Sequence, residues 1–352
     1  MESAIAEHLR CPRTRQRRVE DDYAPPYPAW SAHAPAAVTR VVIGLFGVQS
    51  RGAGRLGQAC AALRGIAAGF AAPDGPLHHD LTHGVDADGF DNMVAIGYWT
   101  DAQAFARWRD APAVRGWWQS EERLHEGIGY FREIATPHVA RFETLFSTPD
   151  ALEGAGVAMG RLSGEIQEHG YWGSMRDRLP LSQTDAMRPS GARAVAADVP
   201  EPGRRVRIAG HDHLALIRSG QDWSGTQGRE RMLYLEQIEP VLRAGMDFLE
   251  RQGLRVGCYS NRYMRHLDAA GQPQEKSFGL SFWRALADME RWSESHPTHV
   301  EIFGAFMRYV QALNLDLKLR LYHEVAVLGP DEQFYEYVNC HPRTGLMNGL
   351  GA

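Results

Sequence analysis

One order of extended and helical segments occurs twice in the chain, and this repetition limits the fold more than any other feature. Val41–Val48 is a buried-strand run and Ala53–Phe70 an alanine-rich helical stretch. His78–Val85 and Asn92–Trp99 are extended and turn through Ala87-Asp88-Gly89; Ala102–Asp110 then reads as helix and Gly127–Ile134 as strand. The series recurs as a strand over His213–Ser219, a long helix over Arg229–Gln252 with Gly253 as C-cap, and strands over Gly257–Asp268 and Lys276–Trp283. Ala285–Ser293 is helical, Pro297 opens a further helical run to about Leu313, and Leu319–Val327 is the closing strand. Strand, helix, two strands, helix, strand is the ferredoxin-like β-α-β-β-α-β unit.

Residues repeat with the elements. Gly97-Tyr98-Trp99 with Trp108 matches Ser281-Phe282-Trp283 with Trp292 at the same spacing, and Tyr130-Phe131-Arg132-Glu133-Ile134 matches Leu321-Tyr322-His323-Glu324-Val325. Two matches in the same order point to a duplicated unit. The expected fold class is α+β, two such units packed sheet against sheet in an α+β barrel. The expected organisation is an N-terminal arm over 1–40, a first unit over 41–150, a connecting segment over 151–210 that contributes to the active site, and a second unit over 211–345. Pro180–Gly210, with Pro189, Pro200 and Pro202, is the loosest part of that connection. Five arginines between Arg10 and Arg18 precede Glu20, Asp21 and Asp22, so the arm is expected on the surface or on a partner subunit.

Composition removes several classes. The 352 residues carry 43 acids against 38 Lys and Arg, a formal charge of −5, whereas a general nucleic-acid binder is usually basic. The longest uncharged run, Tyr23–Thr39, holds four prolines and cannot span a membrane. The N-terminal residues lack the apolar core of a signal peptide, and four scattered cysteines form neither a C-x-x-C pair nor a disulfide framework. These features point to a cytoplasmic protein with reduced thiols. There is no G-x-G-x-x-G opening a helix and no Walker loop.

Four places offer chemistry. In Leu319–Val327, alternation puts Leu319, Leu321, His323, Val325 and Val327 on one face, with Arg320, Tyr322 and Glu324 on the other. His323 is then either a hydrogen-bonded core histidine or a general acid–base group lining an apolar pocket. In the helix after Pro297, His299 leads an apolar stripe with Ile302, Phe303, Phe306, Val310 and Leu313. It reads as a capping or core residue, or as a metal or haem ligand facing an apolar cavity. Glu165–Pro180 has little periodicity but many polar and aromatic groups; Arg178 within it is a permanently charged donor. Ser219 ends a strand without the G-x-S-x-G context of a nucleophile and is otherwise a turn hydroxyl. His78, His79 and His83 do not converge and are taken as surface residues.

With these segments in view, the chain resembles the aldoxime dehydratases, haem enzymes that convert aldoximes to nitriles. The resemblance runs from His8-Leu9-Arg10-Cys11-Pro12-Arg13-Thr14 to Asn339-Cys340-His341-Pro342. It is carried by Asp80–His83, Gly89–Asn92, Glu168–Arg178, Leu216–Trp223, Glu294–His299 and Leu319–Glu324. That family is similar to the dimeric α+β barrel proteins that include chlorite dismutases and dye-decolourising peroxidases. The resemblance implies one haem b per chain, ferrous in the active form, with His299 as proximal iron ligand and His323 as distal catalytic histidine. It also implies that Arg178 and Ser219 contact the oxime and that Glu143 supports the distal histidine; exposed sheet faces and the N-terminal arm favour a homodimer. Tyr309–Lys318, between the two histidines, runs a few residues longer than the family pattern. The competing readings are a haem peroxidase or a non-catalytic haem sensor or carrier on the same fold.

Overall fold

The computed structural model describes residues 1–189, 195–197 and 205–350; Pro200 and Pro202 of the expected connection lie outside the described residues. The first half contains β1 (Val42–Arg51), α1 (Ala53–Gly69), β2 (His78–Val85), β3 (Phe90–Trp99), α2 (Ala102–Asp110), α3 (Pro112–Gln119) and β4 (Gly129–Ala135). After it come β5 (Phe142–Phe146), α4 (Ala155–Met159), α5 (Ser174–Arg178), β6 (Ala196–Ala197) and β7 (Arg205–Ala209). The second half contains β8 (Leu214–Asp222), α6 (Gly228–Leu233), α7 (Glu239–Gln252), β9 (Cys258–Leu267) and β10 (Pro273–Trp283). It ends with α8 (Leu286–Ser295), α9 (Pro297–Ala312), β11 (Arg320–Leu328) and β12 (Gln333–Val338).

Within one sheet, the first half has the order β4-β1-β3-β2 and the second β11-β8-β10-β9, the same arrangement twice. The two join edge to edge where β2 pairs with β9 through Leu81, Thr82 and His83. The sheet curls so that both inner faces share one core, with Leu45, Ile96 and Phe131 packed with Leu216, Phe282 and Ala326. Helices cover the outer faces.

The matched tryptophans explain the repeat physically. Trp99 at the end of β3 packs on Trp108 of α2 with ring centroids 5.2 Å apart at 45°. Trp283 at the end of β10 packs on Trp292 of α8 at 5.6 Å and 43°. In each half the strand end and the following helix are thus locked by one indole pair.

Four strands were not legible in the sequence: β6 and β7, inside the expected connection, and β5 and β12. β5 follows β4 in the chain but pairs with β11, and β12 follows β11 but pairs with β4. Each half therefore lends a strand to the other, and no local pattern encodes that pairing. The long helix expected over Arg229–Gln252 is also broken: a π-helical turn at Tyr234–Ile238 separates α6 from α7, where Pro240 has no N–H for the helical ladder. Gly253 caps α7 but keeps a right-handed conformation; the left-handed residue is Gly257, with φ 89°.

The arm lies on its own chain. The Ala4 N–H donates to Glu168 at 2.8 Å, Arg17 to Gln167 at 2.7 Å, and Gln167 to the Tyr23 carbonyl at 2.7 Å. The Thr14 N–H donates to the Gln183 carbonyl. The arm thus straps the aperiodic Glu165–Pro180 segment in place. Of the longer Tyr309–Lys318 segment, the part beyond α9 turns through Asn314 and Leu315, both at positive φ, and none of its residues reaches the cavity described next.

Candidate active site

β8 and β11 run side by side, and their register sets Ser219 directly across from His323. On the other side of His323 lies β5, where Leu145 is opposite it and Glu143, two residues along, shares its face. Beneath that face Val325 and Val327 are fully buried, as alternation requires, while His323 is partly open. It borders a cavity of about 570 Å³, within the roughly 300–1,000 Å³ usual for ligand and cofactor sites. Arg178, Ser219 and His299 border the same cavity. The expected site residues therefore converge on one space, with Glu143 just behind Arg178 and His323.

Arg178 ends the short helix α5, and its side chain is 1% exposed. Its Nε donates to Glu143 at 2.6 Å, and Nη2 approaches Glu143 at 3.2 Å and His323 Nε2 at 2.6 Å. Nη1 donates to the Glu168 carbonyl at 2.8 Å and to Ser174 at 3.1 Å. All five N–H groups of a guanidinium are thereby matched. While these bonds stand, Arg178 has no donor left for a substrate oxygen, and its force falls on Glu143 and His323.

His323 Nε2 also lies 3.2 Å from Glu143 Oε1. Burial would push the Glu143 carboxyl up, but Arg178 and then His323 more than offset it, and its pKa lies below the usual value. Glu143 is thus a carboxylate at neutral pH. A neutral His323 accepts from Arg178 at Nε2; a charged one donates from Nε2 to Glu143. In both arrangements Nδ1 is the nitrogen left for the cavity, and it has no partner among the described residues.

His299 sits in the first turn of α9, which Pro297 opens and the His296 side chain caps through the Thr298 N–H. Its ring packs edge-on against Trp292 at 4.7 Å and Trp172 at 5.8 Å. Nδ1 is buried without a hydrogen-bond partner among the described residues. Burial pushes the pKa down to about 4, so the imidazole is neutral at neutral pH, the state a metal ligand needs. The expected stripe along α9 divides: His299, Ile302 and Phe303 border the cavity, whereas Val310 enters the core and Phe306 and Leu313 pack against it.

The sequence reading missed the walls. Trp172, Trp283, Trp292, Leu145 and Met246 line the cavity, and the high tryptophan count was the only hint. It also missed the inner face of β11. There Glu324 accepts from Tyr98 and from the Ala155 N–H, and a fully buried Arg218 reaches Asp80 at 2.8 Å. Of the histidines of β2, His79 is exposed as expected, whereas His78 meets Asp80 at 3.3 Å and His83 meets Asp91 at 2.8 Å.

Comparison with known proteins fits this cavity. The family model for haem-containing dehydratases matches residues 44–346. The chain belongs to that family. An aliphatic aldoxime dehydratase of Rhodococcus globerulus is 52% identical over 347 residues, covering 99% of this chain and 98% of that protein. The aliphatic aldoxime dehydratase of Pseudomonas chlororaphis is also 52% identical, over the same shares. A crystal structure of an aldoxime dehydratase with butyraldoxime, 50% identical, superposes with a TM-score of 0.95 over 99% of this chain and 97% of that one. The residues of this dehydratase suit a haem: the cavity is large, walled by tryptophan, leucine and methionine, and bordered by one neutral imidazole.

Proposed function

We propose that the chain dehydrates aldoximes, R–CH=N–OH, to nitriles and water in this cavity, with aliphatic aldoximes preferred as in the relatives. The observation that carries the reading is the pairing, around one apolar cavity, of a neutral ligand histidine, His299, with an acid–base histidine held by a buried Glu143–Arg178 pair.

His299 would hold the haem b iron. Bound there in the ferrous state, haem would supply an electron-rich Lewis-acid centre suited to polarising an oxime N–O bond. The protein does the rest. Ser219, beside His323 across the β-ladder, orients the oxime oxygen by a hydrogen bond. Hydroxide is a poor leaving group, so His323 in its charged form delivers the Nδ1 proton to that oxygen as the N–O bond breaks. Glu143 stabilises the imidazolium beforehand, and Arg178 keeps Glu143 ionised and in place. The neutral imidazole then takes the carbon-bound hydrogen, leaving nitrile and water and restoring the starting charge. The apolar walls exclude water that would compete for the proton.

The peroxidase and sensor readings have less support, because full-length relatives are dehydratases and the sheet accounts for both halves of the chain. A homodimer in the cytoplasm suits the exposed Met232 and Leu235 pair next to the π turn and the four free thiols. No helix among the described residues is long and apolar enough to cross a membrane.

The test is the visible spectrum of the dithionite-reduced protein before and after addition of butyraldoxime. A Soret band that shifts and then returns as nitrile accumulates is the expected result. A haem band indifferent to aldoxime would overturn the reading, and so would absence of any haem band after haem is supplied.

A further inference from the structure

The duplication places a second pocket in the first half, at the position that answers to the site just described. In the matched segments, Arg132 on β4 stands where His323 stands on β11. Across the ladder from Arg132 lies Phe46 of β1, as Ser219 lies across from His323. The lent strand again brings a carboxylate: Glu336 of β12 is opposite Arg132, as β5 brings Glu143. The charge balance differs. Glu143 is matched by one arginine and one histidine, whereas Glu336, 1% exposed, is shared by Arg132 at 2.6 Å, Arg205 at 3.0 Å and Arg207 at 3.0 Å.

A cavity of about 300 Å³ opens between this cluster and helices α2 and α3. Arg109 and Arg115 border it from the helix side, and Phe46, Phe105 and Phe334 give it an apolar floor. Arg132 stacks on Trp118 at 5.1 Å and on Phe334 at 5.2 Å, and Arg207 lies over Phe334 at 5.8 Å. The rings hold the guanidinium forks in fixed planes, the arrangement that binds a planar oxyanion at low entropic cost. Four guanidinium groups and two carboxylates, Asp110 and Asp331, border the cavity, and Arg109 is taken up by Asp110 at 2.7 Å, which leaves Arg115, Arg132 and Arg207 in excess over Asp331. Arg132 Nε is moreover buried without a hydrogen-bond partner among the described residues.

We infer that this pocket binds a small organic carboxylate. The carboxylate lies against Arg115, Arg132 and Arg207, and a short apolar chain or ring covers Phe46, Phe105 and Phe334. Inorganic phosphate satisfies the arginines but leaves the rings exposed, so the ligand carries both groups. The inference does not rest on the haem chemistry of the other cavity.

The experiment titrates the haem-loaded protein calorimetrically with sodium hexanoate, sodium acetate, inorganic phosphate and sodium chloride at constant ionic strength, while the Soret band is followed. Hexanoate should bind with one site per chain, about tenfold or more tighter than acetate because of its extra methylenes, and without moving the Soret band. The exposed double substitution Arg115→Ala/Arg207→Ala should weaken hexanoate by a similar factor and leave aldoxime turnover unchanged. Arg132→Gln should abolish binding if it folds. Hexanoate no tighter than acetate, or phosphate as tight as hexanoate, overturns the assignment. So does binding that survives the double substitution or that shifts the Soret band, since the anion would then sit elsewhere.

Discussion

His323 has two partners of opposite charge on one nitrogen, Arg178 at 2.6 Å and Glu143 at 3.2 Å. Its neutral and charged forms therefore each find a hydrogen bond, as the proposed proton transfers at this residue require. His323→Ala should retain the haem Soret band and lose turnover by roughly 10²–10⁴-fold, the usual worth of a general acid–base group; near-normal steady-state rates would remove it from the mechanism. His299→Ala should be purified with little haem, read from the ratio of Soret to protein absorbance. Glu143→Gln keeps the shape of the side chain but leaves the Arg178 charge buried and unpaired, which costs about 3–5 kcal/mol. Urea unfolding of that variant should show the loss, and turnover should fall with it. At this scale the sequence was informative where a residue broke a pattern, as His323 does in an aliphatic strand face. It marked Arg178 as a charged donor but not what that donor serves, because only the fold reveals that its N–H groups are engaged by Glu143, Glu168, Ser174 and His323.

Among the elements, the arm shows how far local reading goes. Its alternating charge blocks read as a surface or partner-bound strap, yet its partners are Glu168, Gln167 and Gln183, contacts made across 150 or more residues that no window of sequence contains. The segment it holds carries Arg178 and Trp172 into the cavity, and Arg18 reaches α8 through Glu294 at 3.0 Å. Removal of residues 2–22 should speed limited proteolysis within 165–178 and lower kcat, while His299 and its helix still hold haem. Equal cleavage rates with and without the arm would contradict a strapping role. The helices and hairpins, by contrast, were legible because their signals are local: Pro297 at the start of α9, the turn before β3, and the indole spacing that fixes strand to helix.

For the whole molecule, buried histidines outside the candidate site carry a cost that depends on pH. Burial lowers the pKa of His169 to about 4 and of His266 to about 3, from 6.5. The unfolded chain then binds more protons below 6.5, so this contribution to stability is complete above that value and declines as pH falls towards 4. The urea midpoint should decline over that interval, and His266→Gln should flatten the decline; a midpoint that holds steady from 6.5 down to about 4 would contradict the assignment. The duplicated order was readable from the sequence, but the exchange of β5 and β12 was not, since pairing between distant strands leaves no periodic trace. Expressed alone, residues 211–350 should lack the strand that borders β11 and fail to bind haem with a native spectrum, and co-expression with 1–189 should restore it. The lent strands also bear on descent. A fused pair of repeats usually lets one copy decay once the other holds the function. Under the proposed mechanism the first half carries Glu143 for the cavity beside β11, so selection for nitrile formation there would preserve both repeats.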